Sequence, residues 1–255
     1  FTTCCDGSSC LINLHNGEIV CRWKAPQNAK GVSCSALLAS DGRFVLNDTE
    51  KPTVFEYSFL RENAISKSAV ADAMTSLLYV EDAYVVGGSA TGKVFIWARA
   101  TGMLLRQFQA HTKKVTALHY QRETGVLFTA GDDTTIRTWL FATLFLVPTP
   151  QPLTTYTAHS LPVTALLVGP GTRPGFVSAS LDSTVKCWAL DDPTPTASIT
   201  LPSPPVSLCA SADRTVLSAG CLDGTIYRIP LLYAPQYDTV QRSLDSHGRR
   251  FTAPT

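Results

Sequence analysis

The sequence is poor in charge and leans to neither sign: 16% of its 255 residues are Asp, Glu, Lys or Arg, and the formal net charge is +1. Such a balance excludes a strongly basic nucleic-acid tail, though a local basic patch remains compatible with it. No apolar run approaches the roughly 18 residues that a membrane-spanning helix requires. The eight cysteines include no Cys-x-x-Cys pair and no short-spaced Cys/His set of the kind zinc needs. Most lie inside apolar runs such as "VKCWAL" and "VSLCAS". Cys4, Cys5, Cys10, Cys187, Cys209 and Cys221 are therefore expected to be unpaired thiols of an intracellular protein. Also missing are a phosphate-cradling Gly loop and paired carboxylates in a shared apolar setting, so neither enzymatic activity nor a cofactor or metal is expected. The opening residues, "FTTCCDGSSC", carry no basic n-region and no initiator Met, and resemble neither a signal peptide nor a natural start.

What is present is globular in character, with 45% apolar residues, enough to bury a sizeable core at this length. The apolar residues fall in short β-branched runs separated by Gly, Asp, Asn or Pro, which predicts successive strands instead of helices. "KVTALHY", "GVLFTAG" and "TTIRTW" form one unit, and "PVTALLVG", "GFVSAS" and "STVKCW" form the next. Similar triplets recur before and after them. Each third strand carries a large anchor, at Ile12, Tyr57, Trp97, Trp139, Trp188 and Ile229, spaced by 45, 40, 42, 49 and 41 residues. A period of about 40–45 residues with several short strands per unit is the signature of a propeller blade. The longest step contains a Pro-rich insertion, "LVPTPQPLT", suited to an exposed loop. Segments such as "TGMLLRQFQ" and "PTASITLP" supply fourth, outer strands.

Two units carry a matched polar set: His111, Thr129, Asp133 and Trp139 in one, and His159, Ser178, Asp182 and Trp188 in the other. In both, Ser/Thr precedes Asp by four residues and Asp precedes Trp by six. On a four-stranded blade this order predicts one buried hydrogen-bonded chain, from Trp N–H to hydroxyl to His to Asp, locking neighbouring strands together. A Ser/His/Asp set also evokes a hydrolase triad. A triad, however, occurs once and needs an exposed nucleophile, whereas this set occurs twice, in step, with a Trp attached.

With these units the chain resembles the WD-repeat (WD40) β-propellers, although no unit carries a literal Trp-Asp pair. More narrowly, it is similar to the family of WD repeat-containing protein 18, the Ipi-type propeller subunits of Rix-type complexes. The matching pieces are "LHNGE", "ATGMLLRQFQAH", "AHSLPVTALLVG", "SASLDSTVKCWAL" and "GCLDGTIYRIPL", in the same order over nearly the whole chain. The resemblance implies an all-β, seven-bladed WD40 propeller in the full protein, with about six blades represented here and the first one partial. It also implies a non-catalytic scaffold in maturation of the large ribosomal subunit (pre-60S) and processing of the internal transcribed spacer. The implied partners are a helical-repeat Rix-type (PELP-like) subunit, a second helical subunit, the AAA ATPase midasin and the pre-60S particle, in nucleolus and nucleoplasm.

Residues 1–232 are expected to form the propeller, and 233–255 a loop able to supply an outer strand around "RRFTAP". Because a propeller must close to protect its sheet edges, chain beyond Thr255 is expected to complete the ring, leaving a gap between the Ile12 and Ile229 blades. Other classes compete with the scaffold reading. A ubiquitin-ligase substrate receptor would carry Trp-Asp-x-Arg at a blade end, where this chain has "WARA", "WLFA" and "WALD". A direct RNA-binding propeller would carry a basic, aromatic face; the tight basic clusters here are only "HTKK" (111–114) and "GRR" (248–250), which read as solvated loops. "EDA" (81–83) and "LDDP" (190–193) read as turns.

Overall fold

The computed structural model describes residues 2–3, 8–23, 32–48, 53–61, 63–169, 175–211 and 215–230. Residues 233–255 and "GRR" at 248–250, as well as Cys4 and Cys5, lie outside that set. Among the described residues six antiparallel sheets follow one another along the chain. The first holds β1 (Thr2–Thr3), β2 (Ser9–Ile12) and β3 (Ile19–Trp23), and the second holds β4 (Val32–Leu38), β5 (Arg43–Asp48), β6 (Thr53–Ser58) and β7 (Ser66–Ala69). β8 (Met74–Val80), β9 (Tyr84–Ser89), β10 (Lys93–Ala98) and β11 (Leu104–Gln109) make the third. The fourth comprises β12 (Val115–Gln121), β13 (Val126–Gly131), β14 (Ile136–Leu140) and β15 (Thr154–Tyr156). The fifth is β16 (Val163–Val168), β17 (Gly175–Ser180), β18 (Thr184–Ala189) and β19 (Pro195–Thr200), and the sixth is β20 (Pro205–Ala210), β21 (Val216–Cys221) and β22 (Ile226–Pro230).

Each sheet is a meander whose strands pair in sequence order, the blade pattern of a propeller. The first strands of successive blades meet, β4 with β8, β8 with β12, β12 with β16 and β16 with β20, which puts these strands innermost. The six anchors sit on the third blade position: Ile12 on β2, Tyr57 on β6, Trp97 on β10, Trp139 on β14, Trp188 on β18 and Ile229 on β22. The first blade accordingly holds its second to fourth strands, and the sixth blade its first to third. Among the described residues no strand of the first sheet pairs with one of the last.

Alternation explains the core. Along β13, Leu127 packs with Trp139, Val94 and Ile96 between the third and fourth blades, while Phe128 and Ala130 face the fifth blade with Ile136, Tyr156 and Trp188. Blades are thus buried on both faces, and their second strands read as near-continuous apolar runs. Every inner strand from β4 to β20 breaks register near its start. Such a bulge re-aims the residue that leaves the ladder. In two blades it is a threonine whose hydroxyl crosses to the next blade: Thr75 donates to the Val115 carbonyl at 2.5 Å, and Thr164 to that of Pro205 at 2.7 Å. With the strands of each blade lettered a to d from the inside out, the b-to-c turns of four blades each carry, among the described residues, one left-handed residue: Gly92, Thr134, Ser183 and Gly224.

Candidate functional site

The polar residues singled out by their spacing converge in the fourth and fifth blades. Trp188 Nε1 donates to Ser178 Oγ at 2.8 Å, Ser178 Oγ lies 2.7 Å from His159 Nε2, and His159 Nδ1 lies 2.9 Å from Asp182. In the fourth blade Trp139 Nε1 donates to Thr129 Oγ1 at 3.1 Å; that oxygen is 2.8 Å from His111 Nε2, and His111 Nδ1 is 2.9 Å from Asp133. One assignment of protons satisfies every member. The indole N–H can only donate, so the hydroxyl accepts it and donates onward to Nε2. A neutral imidazole then carries its proton on Nδ1 and gives it to the carboxylate.

Each Asp gathers further donors. Asp182 accepts from the Ser160 amide at 3.1 Å and from the Thr184 hydroxyl at 2.5 Å. Asp133 accepts from the Thr112 amide at 3.0 Å and the Thr135 hydroxyl at 2.8 Å. Thr184 and Thr135 stand two residues after the Asp in both blades, a coincidence that the four-residue pattern leaves unread. Burial opposes ionisation of both carboxyls, but these donors and the histidines outweigh it, and both stay below the usual carboxylate range. For His159 the balance goes the other way: burial pushes the imidazole down despite the pull of Asp182, which favours the neutral ring.

This Ser–His–Asp geometry has no access for a substrate. Ser178 and Thr129 are fully buried, and each hydroxyl already accepts an indole N–H. A nucleophile needs an approach path, and these two hydroxyls have none, so the geometry fits a structural chain better than a triad. Among the described residues no group of three His, Cys, Asp or Glu is placed to hold a metal ion. Cys10, Cys21, Cys187, Cys209 and Cys221 carry free thiols. Lys113 and Lys114 of the "HTKK" cluster are exposed, while His111 is turned inward.

The neighbouring blades show what happens where the set is incomplete. At the corresponding positions the sixth blade has Leu201, Ala219 and Ile229, all buried, so its chain is replaced by apolar packing. Only Asp223 is kept, accepting from Thr225 in the b-to-c turn. The third blade keeps Trp97 but has Gly87 in the hydroxyl position and Val70 in place of His. A Cβ on Gly87 would lie 2.9 Å from Cζ3 of Trp97, so the benzo edge of the indole fills the missing side chain's space. Trp97 Nε1 is buried there without a hydrogen-bond partner.

On the opposite face, formed by the a-to-b and c-to-d turns, a second polar cluster joins the second and third blades. Glu56 on β6 is nearly buried and lies 3.1 Å from Arg99 Nε, 3.6 Å from Arg43 Nη1 and 3.5 Å from the Tyr79 hydroxyl. Arg99 also reaches Asp41 and donates to the Asp82 carbonyl at 2.7 Å. Desolvation, followed by the charge of Glu56, drives the Tyr79 hydroxyl far above its ordinary range. No spacing rule connects Glu56 with Arg99 and Tyr79, because those pairs bridge different blades.

Comparison with known proteins places this geometry in context. The WD domain, G-beta repeat family matches residues 102–139 and 150–189, the segments that contain the two polar chains and end on their Trp anchors. Over 88% of its length the chain is 29% identical to a pre-rRNA-processing protein IPI3 of Yarrowia lipolytica, covering 54% of that protein. It is 23% identical to WD repeat-containing protein 18 of Bos taurus over 95% of its length, covering 57% of that relative. The chain thus spans about half the length of the curated relatives it matches. In fold it is similar to a crystal structure of the computationally designed Ika8 protein, with a TM-score of 0.71, 22% identity, and coverage of 90% of this chain and 67% of the other.

Proposed function

We propose that this WD-repeat protein, similar to IPI3 and WD repeat-containing protein 18, is a propeller scaffold that supports maturation of pre-60S particles and processing of the internal transcribed spacer. The observation that carries this reading is similarity over most of the chain to proteins named for pre-rRNA processing. The burial of both Ser/Thr–His–Asp chains supports a non-catalytic role, since their hydroxyls serve the fold. Residues 1–232 are the propeller unit in this reading, and residues 233–255 lie outside the described set. Its protein partners are a helical-repeat Rix-type subunit, a second helical subunit and midasin, and its place of work is the nucleolus and nucleoplasm.

The test is affinity purification of the native protein from its own cells, with gradient sedimentation and pre-rRNA analysis after depletion. Cosedimentation with pre-60S particles and accumulation of spacer-containing pre-rRNA are expected. Recovery of ubiquitin-ligase subunits without large-subunit assembly factors would overturn the reading.

A further inference from the structure

The insertion in the fourth blade has no part in the polar chains. It spans the link between β14 and β15, and the family match stops at 139 and resumes at 150, leaving residues 140–149 out. Between Arg137 and Arg173 the chain contains no Asp, Glu, Lys or Arg. The loop does not simply dangle. It begins as a 3-10 turn, Phe141–Phe145, whose Phe141 and Leu144 are buried. Arg106 of the third blade donates to the carbonyl of Pro148 at 2.6 Å and to that of Val147.

The loop is therefore held in place, yet its apolar side chains face outward. Leu146 is 79% exposed, Val147 44% and Phe145 37%, with Leu140 and Leu153 also exposed at its two ends. Single exposed apolar residues need no explanation, but a fixed group of them marks an interaction site. The chemistry of its border narrows the occupant. Phe145 packs on Tyr84 with ring centroids 5.6 Å apart, and Phe141 packs on Tyr84 and on Tyr120. The Tyr120 hydroxyl donates to Glu81, which with Asp82 forms the exposed a-to-b turn of the third blade. Glu123 stands exposed beside Arg122 in the next a-to-b turn; of the other cations here, Arg99 is paired with Asp41 and Glu56 and Arg106 is turned onto the loop carbonyls. An uncharged apolar surface with acids along one side repels nucleic acid, and it complements a partner that is apolar with basic flanks.

We propose that the 140–153 insertion of the fourth blade, together with the Glu81–Asp82 turn, is a docking surface for a basic amphipathic segment of a protein partner. The proposal rests on the scaffold reading only in taking the chain to bind proteins. Its test places a benzoyl-phenylalanine photo-crosslinker at Leu146 in the full chain in its own cells, with Leu222, on the opposite face, as control. Sequencing of the linked peptide should return a segment of another protein with Lys or Arg beside apolar residues. A synthetic peptide of that sequence should bind the purified chain at least tenfold more weakly after Leu146→Asp with Val147→Asp. Glu81→Gln, which keeps a hydrogen-bond acceptor for Tyr120, should weaken it severalfold and flatten its salt dependence. A link to RNA, to an acidic peptide or to a second copy of the chain would overturn the proposal, as would no link above the Leu222 control. Cosedimentation with pre-60S particles, read in the same cells, reports separately on the scaffold function.

Discussion

Replacing Ser178 by Ala tests how much the buried chain of the fifth blade contributes. The hydroxyl is fully buried and serves two partners, accepting from Trp188 Nε1 at 2.8 Å and facing His159 Nε2 at 2.7 Å. Alanine leaves an indole N–H and an imidazole nitrogen with no replacement, since neither reaches solvent. Each orphaned group costs about 1–3 kcal/mol, so the variant should lose about 2–6 kcal/mol. For a domain of this size that corresponds to a fall in Tm of roughly 4–24 °C. Thermal and urea melts with an unchanged denaturant slope would report it as stability and not as altered compactness. A second measurement separates lost partners from lost packing. Pairing Ser178→Ala with His159→Leu removes one of the orphaned groups, so the double variant should cost less than the sum of the two singles by about 1 kcal/mol or more. The natural precedent is the sixth blade, where Leu201 and Ala219 occupy the two positions. A Tm change under about 2 °C, or a strictly additive cycle, would refute the account.

Acid should weaken the fold in two stages. His159 is depressed below its ordinary 6.5, so the unfolded chain protonates first and stability, full above that pH, falls as pH drops below it; His159→Leu should flatten this limb in a plot of Tm against pH. Asp133 and Asp182 are likewise depressed below 3.8, and their contribution should be lost as pH falls through the region beneath that value. Gly92→Ala should be severely destabilising, about 3 kcal/mol or more by denaturant titration. Its φ is +85°, and a Cβ would lie 2.1 Å from the His111 carbonyl, a backbone atom that cannot yield without moving the histidine. Arg99→Met should cost about 1–3 kcal/mol, because the buried Glu56 loses its closest cation but keeps Arg43 and the Tyr79 hydroxyl, and Glu56→Gln in the same chain should restore part of the loss in the same titration.

The fold was legible because its information is periodic. Six anchors at steps of 40–49 residues, each ending a β-branched run, can come only from a repeated unit, and the matched WD repeats and blade-like sheets accord with that. The eight polar residues could be picked out for the same reason, since two copies in step distinguish a pattern from coincidence. What escaped has no periodicity. The outer strand of the second blade, Ser66–Ala69, is four short residues without an apolar alternation. The 3-10 turn at Phe141–Phe145 interrupts what reads as plain loop, because Phe141 and Leu144 find cover against the third blade. The Glu56–Arg99 pair joins residues 43 apart on different blades, a separation that no local rule encodes.

Comparison of the blades suggests why the polar chain is kept whole or discarded whole. A buried network with one member missing is worse than an apolar core, because the survivors keep their desolvation cost. The fourth and fifth blades hold every member, and the sixth has exchanged His, hydroxyl and Trp together for Leu201, Ala219 and Ile229. The third blade is the intermediate case. It keeps Trp97, and Gly87 lets the ring slide its benzo edge into the vacated space, so packing is retained while the indole N–H goes unpaired. That choice coincides with position: the third blade is held on one side by the Glu56–Arg99 cluster and on the other by the Thr75 hydroxyl and the Arg106 clasp on the insertion. The Thr164 hydroxyl makes the same kind of tie from the fifth blade, which keeps its polar chain whole, so a bond between blades does not displace the chain within one; what is particular to the third blade is the Arg106 clasp that fixes the exposed apolar insertion.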